Sequence, residues 1–162
     1  MDETGAGTPV GPRRLFRLAS RAAGALARSP GRAWLMARMA ATYVVVVTAA
    51  RLLPLDRAFG LIAPGPGRRS RGANAASVVN ALDTLLAAGI PFIRPRCWRR
   101  AAVLHRYLRL IGIDTRIVFG VVTEEMALKE AHAWLERDGV PFAEPGRVEQ
   151  YRRIHAFGGP HP

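Results

Sequence analysis

A single cysteine, Cys97, follows Pro95-Arg96 and opens a segment in which Cys97, Ala101, Leu104 and Leu108 recur at helical spacing. A thiolate at a helix N-terminus is stabilised by unpaired backbone N–H groups and by the helix dipole. Arg96, Arg99 and Arg100 add positive charge around it. The position suits a nucleophile; the competing reading is a small buried hydrophobe, the commonest fate of a free cysteine. A nucleophilic thiol needs a base within hydrogen-bond reach. His132 lies in Ala131-His132-Ala133-Trp134-Leu135-Glu136, where small neighbours leave room for an approaching helix end. The competing reading is a histidine satisfied within its strand. His105 is about two turns into the Cys97 helix, and His155 and His161 belong to the tail; all three are weaker partners.

A catalytic imidazole also needs an orienting acceptor, usually a carboxylate. Glu136, Asp138 and Glu144 are available, and hairpin geometry separates them. A three-residue loop, Arg137-Asp138-Gly139, pairs Glu136 with Val140 and sets Glu144 opposite His132. A two-residue loop, Asp138-Gly139, sets His132 opposite Pro145 and turns Glu144 to the other side. The first register builds a Cys–His–Glu triad and the second does not. Glu136 shares the face of His132 in both registers but lies two pairs along, and Asp138 is in the turn.

The elements that must position these groups read as α+β, helices first and strands after. Residues 1–12 suggest a disordered start. Leu15–Ala27 reads as a helix, Arg32–Leu53 as a longer one closed by Pro54, and Leu55–Ile62 as a short one. Residues 13–72 thus form a helical N-terminal region that ends in a Pro/Gly/Arg linker, Pro64–Gly72. The expected core, residues 73–147, begins with an amphipathic helix, Ala73–Ala88, whose apolar face is Val78, Ala81, Leu82, Leu85 and Leu86. It continues through the Cys97–Ile111 helix and strands at Arg116–Val122, Ala131–Glu136 and Val140–Glu144. Residues 148–162 read as an irregular tail.

Composition bounds the function. At 162 residues, 49% hydrophobic and 22% charged, the chain is one globular domain in size. One cysteine excludes an internal disulfide framework, and Cys and His are too few at ligand spacing for a Cys-rich zinc site; no cofactor or metal is expected. The net charge is +12, and it is uneven: residues 1–110 carry 18 basic and 4 acidic residues, residues 111–162 carry 6 and 8. A basic face favours an anionic partner, but no nucleic-acid motif accompanies it, so no nucleic acid is expected. Arg13-Arg14-Leu15-Phe16 resembles a twin-arginine start, but arginines interrupt the apolar stretch that should follow. The run Met39–Ala50 is too short to span a bilayer. It reads as a buried helix, with membrane contact the lesser reading, and the cytoplasm is the default compartment.

Cys97-Trp98-Arg99-Arg100-Ala101-Ala102-Val103-Leu104, then Gly112 through Val121, Ala131 through Glu136 and Asp138-Gly139 form one ordered pattern. It resembles the transglutaminase-like cysteine peptidases of lasso-peptide biosynthesis, the microcin-processing leader peptidase family, over about Ala75 to Glu144. The Arg/Ala/Leu helices before it also look like that family's N-terminal part. The resemblance implies a papain-like core, with Cys97 as nucleophile, His132 as base, and Glu144 where the family usually has Asp. It implies removal of the leader from a ribosomally made precursor peptide before macrocyclisation. With no three-stranded β pattern in residues 1–70, the expectation is the stand-alone form. That form works with a separate leader-recognition protein and passes its product to an asparagine-synthetase-like cyclase. Two rivals remain: a non-catalytic basic adaptor that docks an acidic peptide or a membrane surface, and an acyl-transferring enzyme on the same triad.

Overall fold

The computed structural model describes residues 29–62, 74–88, 90, 93, 96–124 and 127–158. The disordered start, the Leu15–Ala27 helix, the Pro64–Gly72 linker and His161 lie outside the described residues. The chain divides into two units, Met1–Leu35 and Met36–Pro162, and every site residue belongs to the second.

Among the described residues, four helices precede four strands. They are α1 (Pro30–Leu52), α2 (Leu55–Ile62), α3 (Ala75–Ala87), α4 (Cys97–Leu110), β1 (Arg116–Glu124), β2 (Ala127–Arg137), β3 (Val140–Phe142) and β4 (Arg152–Phe157). The α+β expectation holds. Pro30 occupies a first-turn position of α1, where its missing N–H has no helical partner to lose, and Pro54 ends the element. Asn74 caps α3, its side chain accepting from the Ala76 N–H at 2.9 Å.

Helix α4 is the hub of the fold. Beyond the expected stripe of Ala101, Leu104 and Leu108, it also buries Ala102, Val103, His105 and Tyr107. Its neighbours account for this: α4 packs on β1 and β2 and also against α2 and α3. Helix α3 contributes Val78, Ala81, Leu82 and Leu85, the face read from its periodicity. Helix α1 is less buried than its apolar run suggests. Met39, Tyr43 and Val46 enter the core, while Val44 and Val45 face outward. Thr42 and Tyr107 share a hydroxyl–hydroxyl hydrogen bond at 3.2 Å, which ties α1 to α4. By length and composition alone α1 could also cross a bilayer. An aromatic cluster of Phe59, Trp98, Phe119 and Phe157 joins α2, α4, β1 and β4, with ring centroids 4.8–6.5 Å apart.

The sheet is antiparallel, in the order β3-β2-β1-β4. Strand β4 corrects the irregular tail. It pairs along β1 from Ile117↔Phe157 to Val121↔Arg152 and bulges at Ile154. Five of its six residues are exposed, so it lacks the period-2 alternation that marks a strand in a sequence. Val118 and Trp134 cluster with Val148 and Tyr151 of the turn that precedes β4.

His105 is buried at the far end of this core, its Nδ1 3.0 Å from the Thr115 hydroxyl. Gly158, at φ +76°, lies against the ring so closely that a Cβ there would fall 2.7 Å from Cε1. Burial first, and then the positive charge of Arg109, push the His105 pKa down from 6.5 to about 4. The unfolded chain therefore takes up the proton first as pH falls. The contribution of the neutral ring is full above pH 6.5 and is lost towards pH 4; its size is on the order of 3 kcal/mol. Urea midpoints measured between pH 7 and pH 4 should fall for the native protein. The fall should be shallower for His105→Gln, and equal slopes would refute the assignment.

Candidate active site

Cys97 is the first residue of α4. Arg96 before it is extended (φ −137°, ψ 140°) and makes no side-chain cap. The helical ladder begins with the Arg99 and Arg100 N–H groups, both donating to the Arg96 carbonyl at 3.1 Å. The N–H groups of Cys97 and Trp98 precede that ladder and have no backbone acceptor among the described residues. They are left as donors beside the half-buried thiol.

His132 stands on β2, directly across from Gly120 of β1. Two residues along, Trp134 occupies the same face, and its indole lies nearly parallel to the imidazole (15°, centroids 6.1 Å apart). Tyr151 closes on the imidazole at 5.1 Å. The Tyr151 hydroxyl donates to Glu130 at 2.5 Å. That carboxylate, and then burial, push the phenol above its usual range. Gly120 makes room for this stack: a Cβ there would lie 2.7 Å from the Trp134 ring and 2.9 Å from the Tyr151 Cβ. The indole N–H donates to Glu136 at 3.1 Å, which locks the ring from its other end. Glu136 is buried and paired with Arg153 at 2.8 Å and Arg116 at 3.4 Å. It is a structural carboxylate and does not reach His132. Asp138 is at the exposed hairpin tip. His155 is an exposed β4 residue 3.8 Å from Asp56. It does not line the cavities around Cys97.

Glu144 reaches His132 by a route different from the expected one. The hairpin has the two-residue loop: Arg137 pairs with Val140, Glu136 with Pro141 and Leu135 with Phe142. Asp138 (φ +52°) and Gly139 (φ +81°) form the turn, a primed geometry that Asp-Gly favours. Regular continuation of that register would turn Glu144 away. The strand ends at Phe142, however, and Ala143 adopts φ +54°, a left-handed conformation costing roughly 1–2 kcal/mol for a non-glycine residue. The kink re-aims the next side chain, and Glu144 Oε1 comes to 3.3 Å from His132 Nε2. Arg100 holds the kink. Its Nη1 donates to the Ala143 carbonyl at 2.9 Å, while its other nitrogens grip Asp83 of α3 at 2.8 and 3.1 Å.

Cys97, His132 and Glu144 line one cavity of about 240 Å³, with Arg100, Ala101 and Ala133 in its wall. Cys97 and His132 also border a second hollow of about 290 Å³, lined by Trp98, Phe119, Gly120 and Ile154. The thiol and imidazole thus sit on a ridge between a carboxylate-bearing pocket and an aromatic one. Arg96 belongs to both. A thiol, a ring nitrogen and backbone donors open to one cleft can perform nucleophilic acyl chemistry. The sequence pointed to Cys97, His132 and Glu144. It gave no hint of Tyr151, while Trp134, two residues after His132, was legible as a same-face neighbour.

A family model described as the transglutaminase-like superfamily matches residues 39–156. The match extends beyond the expected 73–147 core on both sides, taking in most of α1 and nearly all of β4. No curated protein and no solved structure matches the chain.

The packing at Gly120 yields a test. Gly120→Ala must displace the buried Trp134 ring and the Tyr151 Cβ, a steric penalty of about 1–3 kcal/mol. Thermal denaturation should show the loss, and tryptophan fluorescence should report a moved indole. A variant as stable as the native protein, with an unchanged spectrum, would contradict this packing.

Proposed function

The chain belongs to the transglutaminase-like superfamily, which fits cysteine peptidases and acyltransferases, and from that premise we propose that it is a cysteine peptidase that removes the leader from a ribosomally made lasso precursor. The observation that carries the reading is the His132–Glu144 contact beside Cys97 in one cleft. The lasso assignment rests in addition on the sequence resemblance.

In this reading Glu144 accepts the Nε2–H of His132, which leaves Nδ1 free for the thiol proton. The Cys97 sulfur adds to the scissile carbonyl carbon, and the N–H groups of Cys97 and Trp98 receive the developing oxyanion. The C–N bond breaks as the imidazolium returns its proton to the leaving amine. Water then enters, losing a proton to His132, and the thioester is hydrolysed to free acid and thiol. An amine entering instead of water would give acyl transfer with the same groups, so the trapped product distinguishes the two outcomes. The proposed setting is the cytoplasm, with a separate recognition protein presenting the precursor and an asparagine-synthetase-like cyclase receiving the product.

The test is mass spectrometry after incubation with the precursor and recognition protein encoded beside it. Cys97→Ala should abolish cleavage with the fold intact, because Ala is well tolerated in a helix, and iodoacetamide should inactivate the native protein. Leaving out the recognition protein should slow cleavage, because its presence raises the effective concentration of the scissile bond. Turnover by Cys97→Ala equal to native would refute the peptidase.

A second measurement isolates the acid. Glu144→Gln should lower kcat by about 10–10³, less than the loss of the analogous acid in a serine protease. Glu144→Asp should keep part of the activity. A Glu144→Gln enzyme with undiminished kcat would remove Glu144 from the triad.

A further inference from the structure

Beside the thiol lies a groove of about 750 Å³, larger than either catalytic hollow, between α1 and the start of α4. Tyr43, Val44, Val47 and Thr48 form its floor, and Arg51, Arg96 and Arg99 bring three guanidinium groups to it. No carboxylate lines it among the described residues. Arg99 is only weakly compensated. Its Nη1 meets the Tyr43 hydroxyl at 3.4 Å, its guanidinium carbon lies 5.9 and 5.2 Å from the Tyr43 and Trp98 ring centroids, and its Nε is buried without an acceptor among the described residues. A buried donor in that state is uncommon. Arg96 also borders both hollows around Cys97, so the groove and the cleft share a wall.

We propose that this groove is a substrate subsite that binds an acidic, partly aliphatic stretch of the peptide close to the scissile bond. The proposal deepens the peptidase reading and rests on it for the word substrate; the binding itself does not depend on cleavage. Three converging guanidiniums match carboxylates, with which arginine forms paired hydrogen bonds. The valine floor takes the aliphatic side chains between them. An extended peptide rises about 3.3 Å per residue, so a few residues reach from the groove past Arg96 to the sulfur.

The probe is a fluorescein-labelled hexapeptide of alternating glutamate and leucine, compared with its glutamine counterpart. Binding to Cys97→Ala protein is read by anisotropy. The glutamate peptide should bind about tenfold more tightly or better, equivalent to ~1.4 kcal/mol, and should weaken as salt is raised. Arg51 is exposed in the last turn of α1 and away from the thiol, so Arg51→Glu and the milder Arg51→Gln should both lose most of that preference while their circular dichroism stays native. On the native protein, the glutamate peptide should slow alkylation of Cys97. Equal affinity for the two peptides, or affinity unchanged in both Arg51 variants, would overturn the subsite. Binding of anionic vesicles with no preference for the glutamate peptide would overturn it in favour of a membrane face. Preference for the glutamate peptide without cleavage of any precursor would leave the subsite standing and remove the peptidase.

Discussion

The Arg100 guanidinium is the constraint on which the site depends. One planar group joins three segments: the α3 carboxylate of Asp83, the α4 turn that carries Cys97, and the Ala143 carbonyl beyond the hairpin. Exposed ion pairs contribute little to stability, and half of Asp83 faces solvent. The value of Arg100 is therefore geometric. It fixes a left-handed residue whose only effect on the site is to turn the next side chain towards the imidazole. Lysine would supply the charge but not the fork that satisfies a carboxylate and a carbonyl together.

Much of this was legible in the residues. Cys97 opens a helix because Arg96 before it is extended and the apolar period begins at once; α2 was read with the bounds it has, and α3 and α4 to within two residues. The hairpin was harder, because Arg137-Asp138-Gly139 fits two loop lengths and only the twist of the flanking strands selects the shorter. The fate of Glu144 was illegible for a deeper reason. Alanine carries no signature of a positive φ, and the arginine that holds it there lies on another element. Strand β4 was hidden because an exposed edge strand has no hydrophobic alternation to show. Its residues Arg153 and Phe157 gain meaning only through Glu136 and Phe59, far away in sequence.

Trp134 divides the even face of β2 into two electrostatic territories. On one side its ring is a flat wall for His132. On the other its N–H completes the shell of Glu136, a buried carboxylate facing two arginines. The Arg116 contact is a charge contact at 3.4 Å rather than an aligned hydrogen bond, so the indole supplies the directed bond and Arg153, at 2.8 Å, the closer charge. A buried charge of this kind is strongly destabilising when one partner is removed. Nature of the side chain at 136 therefore bears on fold, and at 144 on the site, although both are glutamates near one histidine.

The hairpin has a consequence for the order of events during folding. His132 and Glu144 are twelve residues apart and are brought together by a tight Asp-Gly turn, a contact of the kind that forms in microseconds. The thiol arrives from a helix made earlier in the chain, and it meets the imidazole only when α4 docks on the sheet through non-local packing, which is slower. Arg100, which holds the Ala143 kink, arrives on the same helix, so His132 and Glu144 are locked together only as Cys97 comes into place. On the proposed peptidase reading, a half-folded chain therefore holds no assembled machinery with which to attack its neighbours or itself, and reactivity comes only with the final cooperative step.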